Sequence, residues 1–184
     1  MEMPQQRLDR NTWLEQALKI LAREGLAGVR VEKLARSLHV TKGSFYWHFK
    51  DRDDLFRGML DYWAGELTDD VFKEVLACQG NAKRRLLKLM EVIEETGADR
   101  FEFAIRSWAS HDKTVARKVR KVDEQRLGII KGLFKETGFP ETEADTRARL
   151  FIYFQVAAPG IRIPLTKQER AALRKRRHRI LAGS

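Results

Sequence analysis

The sequence has little of what secreted and membrane proteins require: it contains a single cysteine, Cys78, and no long hydrophobic run. One cysteine cannot form an internal disulfide, which favours a reducing compartment. The longest stretch without a charged residue covers residues 150–161, well short of the roughly 20 residues that span a bilayer. Residues 1–4 show no basic and apolar leader of the secretory kind. We therefore predict a cytoplasmic protein without a membrane partner.

Catalytic and metal-binding patterns are also lacking. None of the four histidines has the spacing of a known metal motif. No glycine-rich phosphate loop is present, and Cys78 has no neighbour that would activate its thiol. His111 and Asp112 resemble part of a hydrolase pair, but the other ligands of such a site are missing. We predict no metal, no cofactor and no enzymatic activity. The rival class, a helical enzyme that modifies a small molecule, would need convergent titratable groups in a cavity.

Positive charge is abundant and unevenly distributed. The 36 Lys and Arg residues exceed the 26 Asp and Glu residues, which gives a formal net charge of +10. Residues 61–160 are electrically balanced, whereas residues 161–184 carry eight basic side chains and one acidic side chain. A basic balance of this size favours a polyanionic partner, either nucleic acid or an anionic membrane.

Apolar residues recur at helical spacing along nearly the whole chain, as in Leu14, Leu18 and Leu21. No segment alternates between apolar and polar residues as a half-buried strand would. We predict an all-α fold with an N-terminal three-helix helix-turn-helix domain, residues 1–50, and a C-terminal helical domain, residues 51–184.

Several residues predict where helices begin and end. Gly25 is suited to a left-handed helix stop. Asp51 is suited to cap a long helix that continues to about residue 78. Thr166 and Glu169 form a capping-box pattern that opens a final basic helix.

Residues 31–55 carry the strongest functional signal. They predict two short helices joined by a tight turn, and the second helix begins with a cap residue and small or polar side chains. A helix that enters the major groove needs such side chains at its N-terminal end, where it faces the base edges. Phe45 and Phe49 would hold the rear of this helix in the core. The residues predicted to face bases or phosphates are Thr41, Lys42, Gly43, Ser44, Tyr46, Trp47, His48 and Lys50. Trp47 could alternatively be partly buried.

Residues 41–49, together with Lys50 and Leu55, closely resemble the recognition helix and the start of the fourth helix of TetR-family regulators. The resemblance extends over about residues 8–60. It implies a homodimer that binds double-stranded DNA at a palindromic operator, most often a repressor released by a small-molecule effector. It also implies a C-terminal domain for ligand binding and dimerisation. A DNA-binding dimer that is not inducible and acts through a protein partner is the alternative.

Two positions depart from the family pattern. Arg30 stands where Ser or Thr commonly caps the second helix, so a cap of about 1 kcal/mol is lost while a cation is placed near the DNA backbone. His39 stands in the turn where Gly is usual, and we expect it to adopt a positive φ, for which His is enriched among non-glycine residues.

The C-terminal domain offers candidates for two further sites. An apolar ligand cavity could be lined by Trp63, Phe101, Phe103 and Trp108, together with Met90 and Phe134. Its polar anchors could be Glu66, Asp99 or Arg106. Ordinary core packing would use the same residue types. For the dimer interface we predict the charge-poor stripe of Ala148, Phe151 and Phe154.

The basic tail, residues 174–184, contains few apolar residues. Leu173, Ile180 and Leu181 stand among five cations. This pattern predicts a solvated surface helix, and a second electrostatic role on DNA or on an acidic partner is an open alternative.

Overall fold

The computed structural model of the chain describes residues 8–161 and 163–183, and every regular element in these ranges is helical. The predicted all-α class is confirmed. The chain divides into two compact units, one ending at Ala64 and one beginning at Gly65; we call them the N-terminal and C-terminal units. The predicted boundary after residue 50 is too early, because the fourth helix packs against the first. No helix in the described ranges is long and apolar enough to cross a membrane.

The N-terminal unit contains four helices: α1 (Arg10–Glu24), α2 (Val31–Ser37), α3 (Lys42–Tyr46) and α4 (Arg52–Ala64). Asp9 caps α1, since its Oδ1 accepts a hydrogen bond from the Thr12 N–H at 2.7 Å. The predicted stop at Gly25 is confirmed: its φ is +73° and its N–H donates to the Leu21 carbonyl. The predicted cap at Asp51 is also confirmed, because its Oδ1 accepts from the Asp54 N–H at 2.7 Å.

Aromatic packing fixes α3 in the core of this unit. The Trp13 ring meets Phe45 edge to face with 5.7 Å between centroids, and Phe45 stacks on Phe49 at 5.2 Å. All three side chains are buried. The core role predicted for both phenylalanines is therefore confirmed, and α3 can turn only its other face to solvent.

The segment after α4 differs from the single long helix that the sequence predicts. Residues Gly65–Asp69 form a π-helical turn, and α5 (Asp70–Ala77) follows. A π turn inserts one extra residue per turn and is often retained at functional sites. Here it turns Thr68 inward, where the side chain is buried.

The C-terminal unit continues with α6 (Ala82–Thr96), α7 (Glu102–Ala109), α8 (Lys113–Glu136), α9 (Glu141–Ala157) and α10 (Lys167–Ala182). The predicted capping box is confirmed: Thr166 Oγ1 accepts from the Glu169 N–H, and a Glu169 carboxylate oxygen accepts from the Thr166 N–H at 2.7 Å. The core lies where α8 packs against α6 and α9, and α5 and α10 add residues to it.

The interface stripe predicted on α9 is mostly internal. Ala148 and Phe151 are buried in the core of the C-terminal unit, so they cannot meet a second chain. Phe154 is more exposed, but the Arg177 guanidinium lies over its ring at 3.9 Å from the centroid. The prediction was wrong for the two buried residues because the apolar stripe of α9 faces its own unit.

The basic helix α10 is part of the fold rather than a solvated tail. Leu181 and Ala182 are buried in the core. Arg147 Nη1 donates to the Leu181 carbonyl at 2.7 Å, and His178 Nε2 donates to the Lys83 carbonyl at 2.7 Å. Arg174 forms an ion pair with Glu94 on α6. The interpretation of this helix as a solvated surface element is therefore corrected.

Candidate nucleic-acid interface

The turn between α2 and α3 sets the geometry of the helix-turn-helix. His39 has a φ of +56°, as predicted for a residue in the place of glycine. The Val40 N–H returns to the Ala35 carbonyl at 3.0 Å and closes the turn. Arg30 precedes α2 without a side-chain cap, also as predicted; its Nε donates instead to the Ala27 carbonyl at 3.1 Å.

The N-terminal end of α3 presents small and polar groups to solvent. Thr41 occupies the cap position in an extended conformation, and its Oγ1 lies 3.3 Å from Ser44 Oγ. Lys42 and Gly43 are exposed, and Ser44 is half-buried. A Cβ added at Gly43 would meet only Thr41 Oγ1, at 3.6 Å. No side chain other than Thr41 therefore lies close to the Gly43 backbone at this end of the helix.

The aromatic flank of α3 is divided between solvent and core. Tyr46 is 64% exposed and Trp47 is 80% exposed, so the alternative of a partly buried Trp47 does not hold. His48 is half-buried, and its ring centroid lies 6.3 Å from that of Trp13. The exposed rings are stiff and carry N–H or O–H donors of the kind that bind phosphate oxygens.

The charges on this face are mixed. Lys42, at the start of α3, forms an ion pair with Glu32 on α2. The hydrogen bond from the Lys42 ammonium lowers the pKa of Glu32 below its usual value. The pair joins the two helices of the motif, and it places an anion beside the proposed DNA surface.

Two exposed cations of α2 were missed by the sequence reasoning. Lys33 and Arg36 line a surface groove together with Arg30. Residues three apart on a helix share a face, so the spacing of these three basic residues was a usable signal. Lys33 also pairs with Glu24 of α1. Lys50 is exposed at the other side of α3, and its N–H donates to an Asp54 carboxylate oxygen at 3.0 Å.

A second candidate site is a cavity of about 50 Å³ inside the C-terminal unit. None of the four residues predicted to line a ligand pocket lines it. Phe101 and Trp108 are buried elsewhere, Phe103 is exposed, and Trp63 belongs to the core of the N-terminal unit. Met90 and Phe134 are core residues outside the cavity lining.

Only one of the three predicted polar anchors lines the cavity. Asp99 lines the cavity, whereas Glu66 and Arg106 do not. Spacing alone could not identify the walls, because a closed core and a cavity use the same apolar residues.

The polar end of this cavity is an ordered network. Arg126 donates to Thr68 Oγ1 at 2.6 Å and pairs with Glu102 at 2.8 Å. The buried Glu102 carboxylate also pairs with Arg106 at 3.2 Å, and Arg106 forms a bidentate pair with Asp123 at 2.6 and 2.8 Å. Burial, reinforced by the like charge of Glu102, raises the pKa of Asp99 above its usual value.

The helix-turn-helix region matches a known family. Residues 14–59 match the family model described as bacterial regulatory proteins, tetR family. The likeness to the TetR family therefore covers the helix-turn-helix region of the chain. Over 43 residues it is 40% identical to the HTH-type transcriptional regulator AcrR of Shigella flexneri, a match that covers 23% of this chain and 20% of AcrR. The chain therefore aligns with about a fifth of that relative. That relative is named as a transcriptional regulator, which is the class that the sequence predicts for this chain.

Solved structures resemble this chain over nearly its full length. A putative transcriptional regulator from Saccharomonospora viridis, in complex with choline, has a TM-score of 0.71 at 16% identity; the match covers 95% of this chain and 96% of that one. The fatty acid degradation regulator FadR from Bacillus halodurans has a TM-score of 0.70 at 15% identity and covers 100% of this chain and 98% of its own. At these identities the likeness concerns the fold alone.

Proposed function

We propose that this chain is a repressor that binds duplex DNA as a homodimer and is released by a small-molecule effector. The observation that carries the proposal is the asymmetry of α3: Phe45 is buried behind the helix, while Lys42 and Gly43 stand exposed at its N-terminal end. That end would read base edges in the major groove. A two-fold dimer would place its two copies of α3 about one helical turn apart, or a small multiple of it, on a near-palindromic operator.

The exposed residues divide into two roles under this proposal. Lys42 and Ser44 would face base edges. Tyr46, Trp47 and Lys50 would meet phosphates on one side of the groove, and the cations of α2 would meet them on the other. Phosphate contacts position a protein on DNA, and base contacts specify the sequence.

Selection of bound duplexes from a random pool tests the proposal directly. We expect an enriched inverted repeat, with two half-sites of the same sequence. Recovery of unrelated duplexes with no shared repeat would contradict sequence-specific binding by a two-fold dimer.

Replacing Tyr46 by Phe tests the phosphate role with little change in packing. The ring lies against Phe45 at 5.2 Å, and Tyr46→Phe keeps that contact while removing the hydroxyl. Loss of a hydrogen bond to a charged group costs about 1.5 kcal/mol, or about tenfold in affinity. We expect Tyr46→Phe to weaken binding to operator and scrambled duplexes by the same factor in fluorescence anisotropy titrations.

The control for this variant is Tyr62→Phe on α4, which removes a hydroxyl from a half-buried tyrosine that the proposal does not place on DNA. Its DNA affinity should equal that of the unaltered protein. A loss confined to the operator would assign Tyr46 to base reading instead of phosphate contact.

The dimer would use the outward faces of α9 and α10, which are neighbours in the C-terminal unit. Arg177 Nη1 on α10 donates to Gln155 Oε1 on α9 at 2.8 Å. Leu150 and Tyr153 on α9, together with Leu173 and Ile180 on α10, are exposed apolar residues. Exposed apolar residues on adjacent helices are typical of surfaces that bind another protein.

Leu150→Arg is expected to dissociate this dimer. Burying an unpaired charge costs several kcal/mol, so the dissociation constant should rise by about a hundredfold or more. Sedimentation equilibrium measures the shift. Leu76→Arg on α5 is the matched control, because Leu76 is 46% exposed and Leu150 is 52% exposed. A dimer that tolerates Leu150→Arg as well as Leu76→Arg would place the interface elsewhere.

A dimer that acts through a protein partner, without an effector, is the second candidate. It is favoured by exposed apolar residues that lie outside the proposed dimer surface of α9 and α10, such as Phe103 and Ile163. The two candidates differ in one measurement, since only the first requires that a ligand of the C-terminal unit change DNA affinity.

A further inference from the structure

The cavity of the C-terminal unit has walls suited to a compact apolar or cationic body. Two aromatic rings, Phe72 and Phe151, are among its lining residues, and both are buried. Most of the remaining wall is aliphatic, from α5, α6, α8 and α9. A volume of about 50 Å³ leaves room for about three to five water-sized groups.

The charges that face the cavity do not balance. Its lining contains two carboxylates, Asp99 and Glu102, and one guanidinium, Arg126. Glu102 is neutralised by Arg126 and Arg106. Among the residues that the structure describes, Asp99 forms no ion pair of its own, although the charge of Arg177 on α10 acts on it from a distance.

We propose that this cavity binds a small organic cation, an amine or a quaternary ammonium, with Asp99 as its counter-ion and Phe72 and Phe151 as its aromatic walls. The inference rests on the proposed function, for which it names the chemical class of the effector. A cation beside Asp99 compensates a carboxylate whose charge burial disfavours. Aromatic faces attract ammonium groups most strongly where water is excluded.

An anionic ligand does not fit the same arrangement. To pair with Arg126, an anion would have to break the ion pair of Arg126 with Glu102 and its hydrogen bond to Thr68. The anion would then lie beside the Asp99 carboxylate. Removing one partner of a buried pair leaves the other charge uncompensated. The network therefore selects against anions of the size of the cavity.

A pair of probes of equal size tests the inference in the full-length protein. Tetramethylammonium and tert-butanol have the same number of non-hydrogen atoms and a similar shape, and only the first carries a charge. Methyl NMR titrations would follow Ile93, Ile130 and Ile152, which line the cavity, with Ile20 in the N-terminal unit as a reference. We expect tetramethylammonium to shift the three lining residues and to bind about tenfold more tightly than tert-butanol.

Asp99→Asn should remove the preference for the cation, while the affinity for tert-butanol stays unchanged. The matched control is Asp70→Asn on α5, an exposed carboxylate that pairs with Lys73 at 2.7 Å outside the cavity. It should keep the preference. Equal affinities of the two probes for the unaltered protein would overturn the inference, and this comparison requires no variant to fold. An Asp99→Asn protein that still prefers the cation would overturn it as well.

DNA binding is measured separately, with a labelled operator duplex and the same probe concentrations. If the ligand-free protein binds no duplex specifically, the proposed function fails, and the NMR result still decides the cavity. If tetramethylammonium binds in the cavity but leaves DNA affinity unchanged, effector release is contradicted and the cation site stands.

Discussion

Deletion of residues 174–184 is expected to lower the free energy of unfolding of the C-terminal unit by more than about 3 kcal/mol. The deletion removes Leu181 and Ala182 from the core. It also leaves the Glu94 carboxylate without Arg174 and the Arg147 guanidinium without the carbonyls it binds on α10. Urea denaturation followed by circular dichroism would show the loss as a lower transition midpoint.

Point variants separate packing from charge in this result. Leu181→Ala truncates a buried side chain and should cost about 2–5 kcal/mol. Leu76→Ala makes the same truncation at an exposed site on α5 and should change stability by less than about 0.5 kcal/mol. If the deletion left the midpoint unmoved and only weakened binding to random DNA, α10 would be the electrostatic tail that its composition suggests.

Helix α10 is an example in which amino-acid composition alone leads to a wrong structural prediction. The basic run predicts a solvated helix, but its cations are individually placed: Arg174 reaches Glu94, and Arg177 lies over Phe154 and hydrogen-bonds Gln155. Their partners are 80 and 22 residues away in sequence. No local pattern can show contacts of that range, although the capping box that starts the helix is local and was predicted.

The position of the helix-turn-helix was predictable because the residues that set it are close together in sequence. The position of α3 follows from Phe45 and Phe49 at helical spacing, and the turn follows from a residue that tolerates positive φ at His39. The ion pair between Lys42 and Glu32 was not predictable, since its formation depends on the angle between two helices. The sequence did not predict the π turn at Gly65–Asp69, in which Thr68 accepts a hydrogen bond from Arg126 of α8, 58 residues away in sequence.

The last expected result concerns the network behind the cavity: Glu102→Ala should lower the free energy of unfolding of the C-terminal unit by about 3–5 kcal/mol. Arg106 would keep its bidentate partner Asp123. Arg126, whose side chain is 13% exposed, would lose the Glu102 carboxylate at 2.8 Å and keep its hydrogen bond to the neutral Thr68 hydroxyl. The cost is therefore the loss of a carboxylate partner from a largely buried guanidinium.

Two comparisons test this cause with the same urea denaturation. Glu136→Ala removes an exposed partner of Arg85, 3.1 Å away, and should cost no more than about 1 kcal/mol because surface pairs contribute little. The double variant Glu102→Met with Arg126→Met replaces both charges by apolar groups of similar length. It should recover much of the loss, since apolar replacement of a whole buried pair is often neutral or stabilising. A double variant as unstable as Glu102→Ala would show that shape at this site matters more than charge. In that case the next variant to measure by urea denaturation would be one at Thr68, whose hydroxyl accepts a hydrogen bond from Arg126.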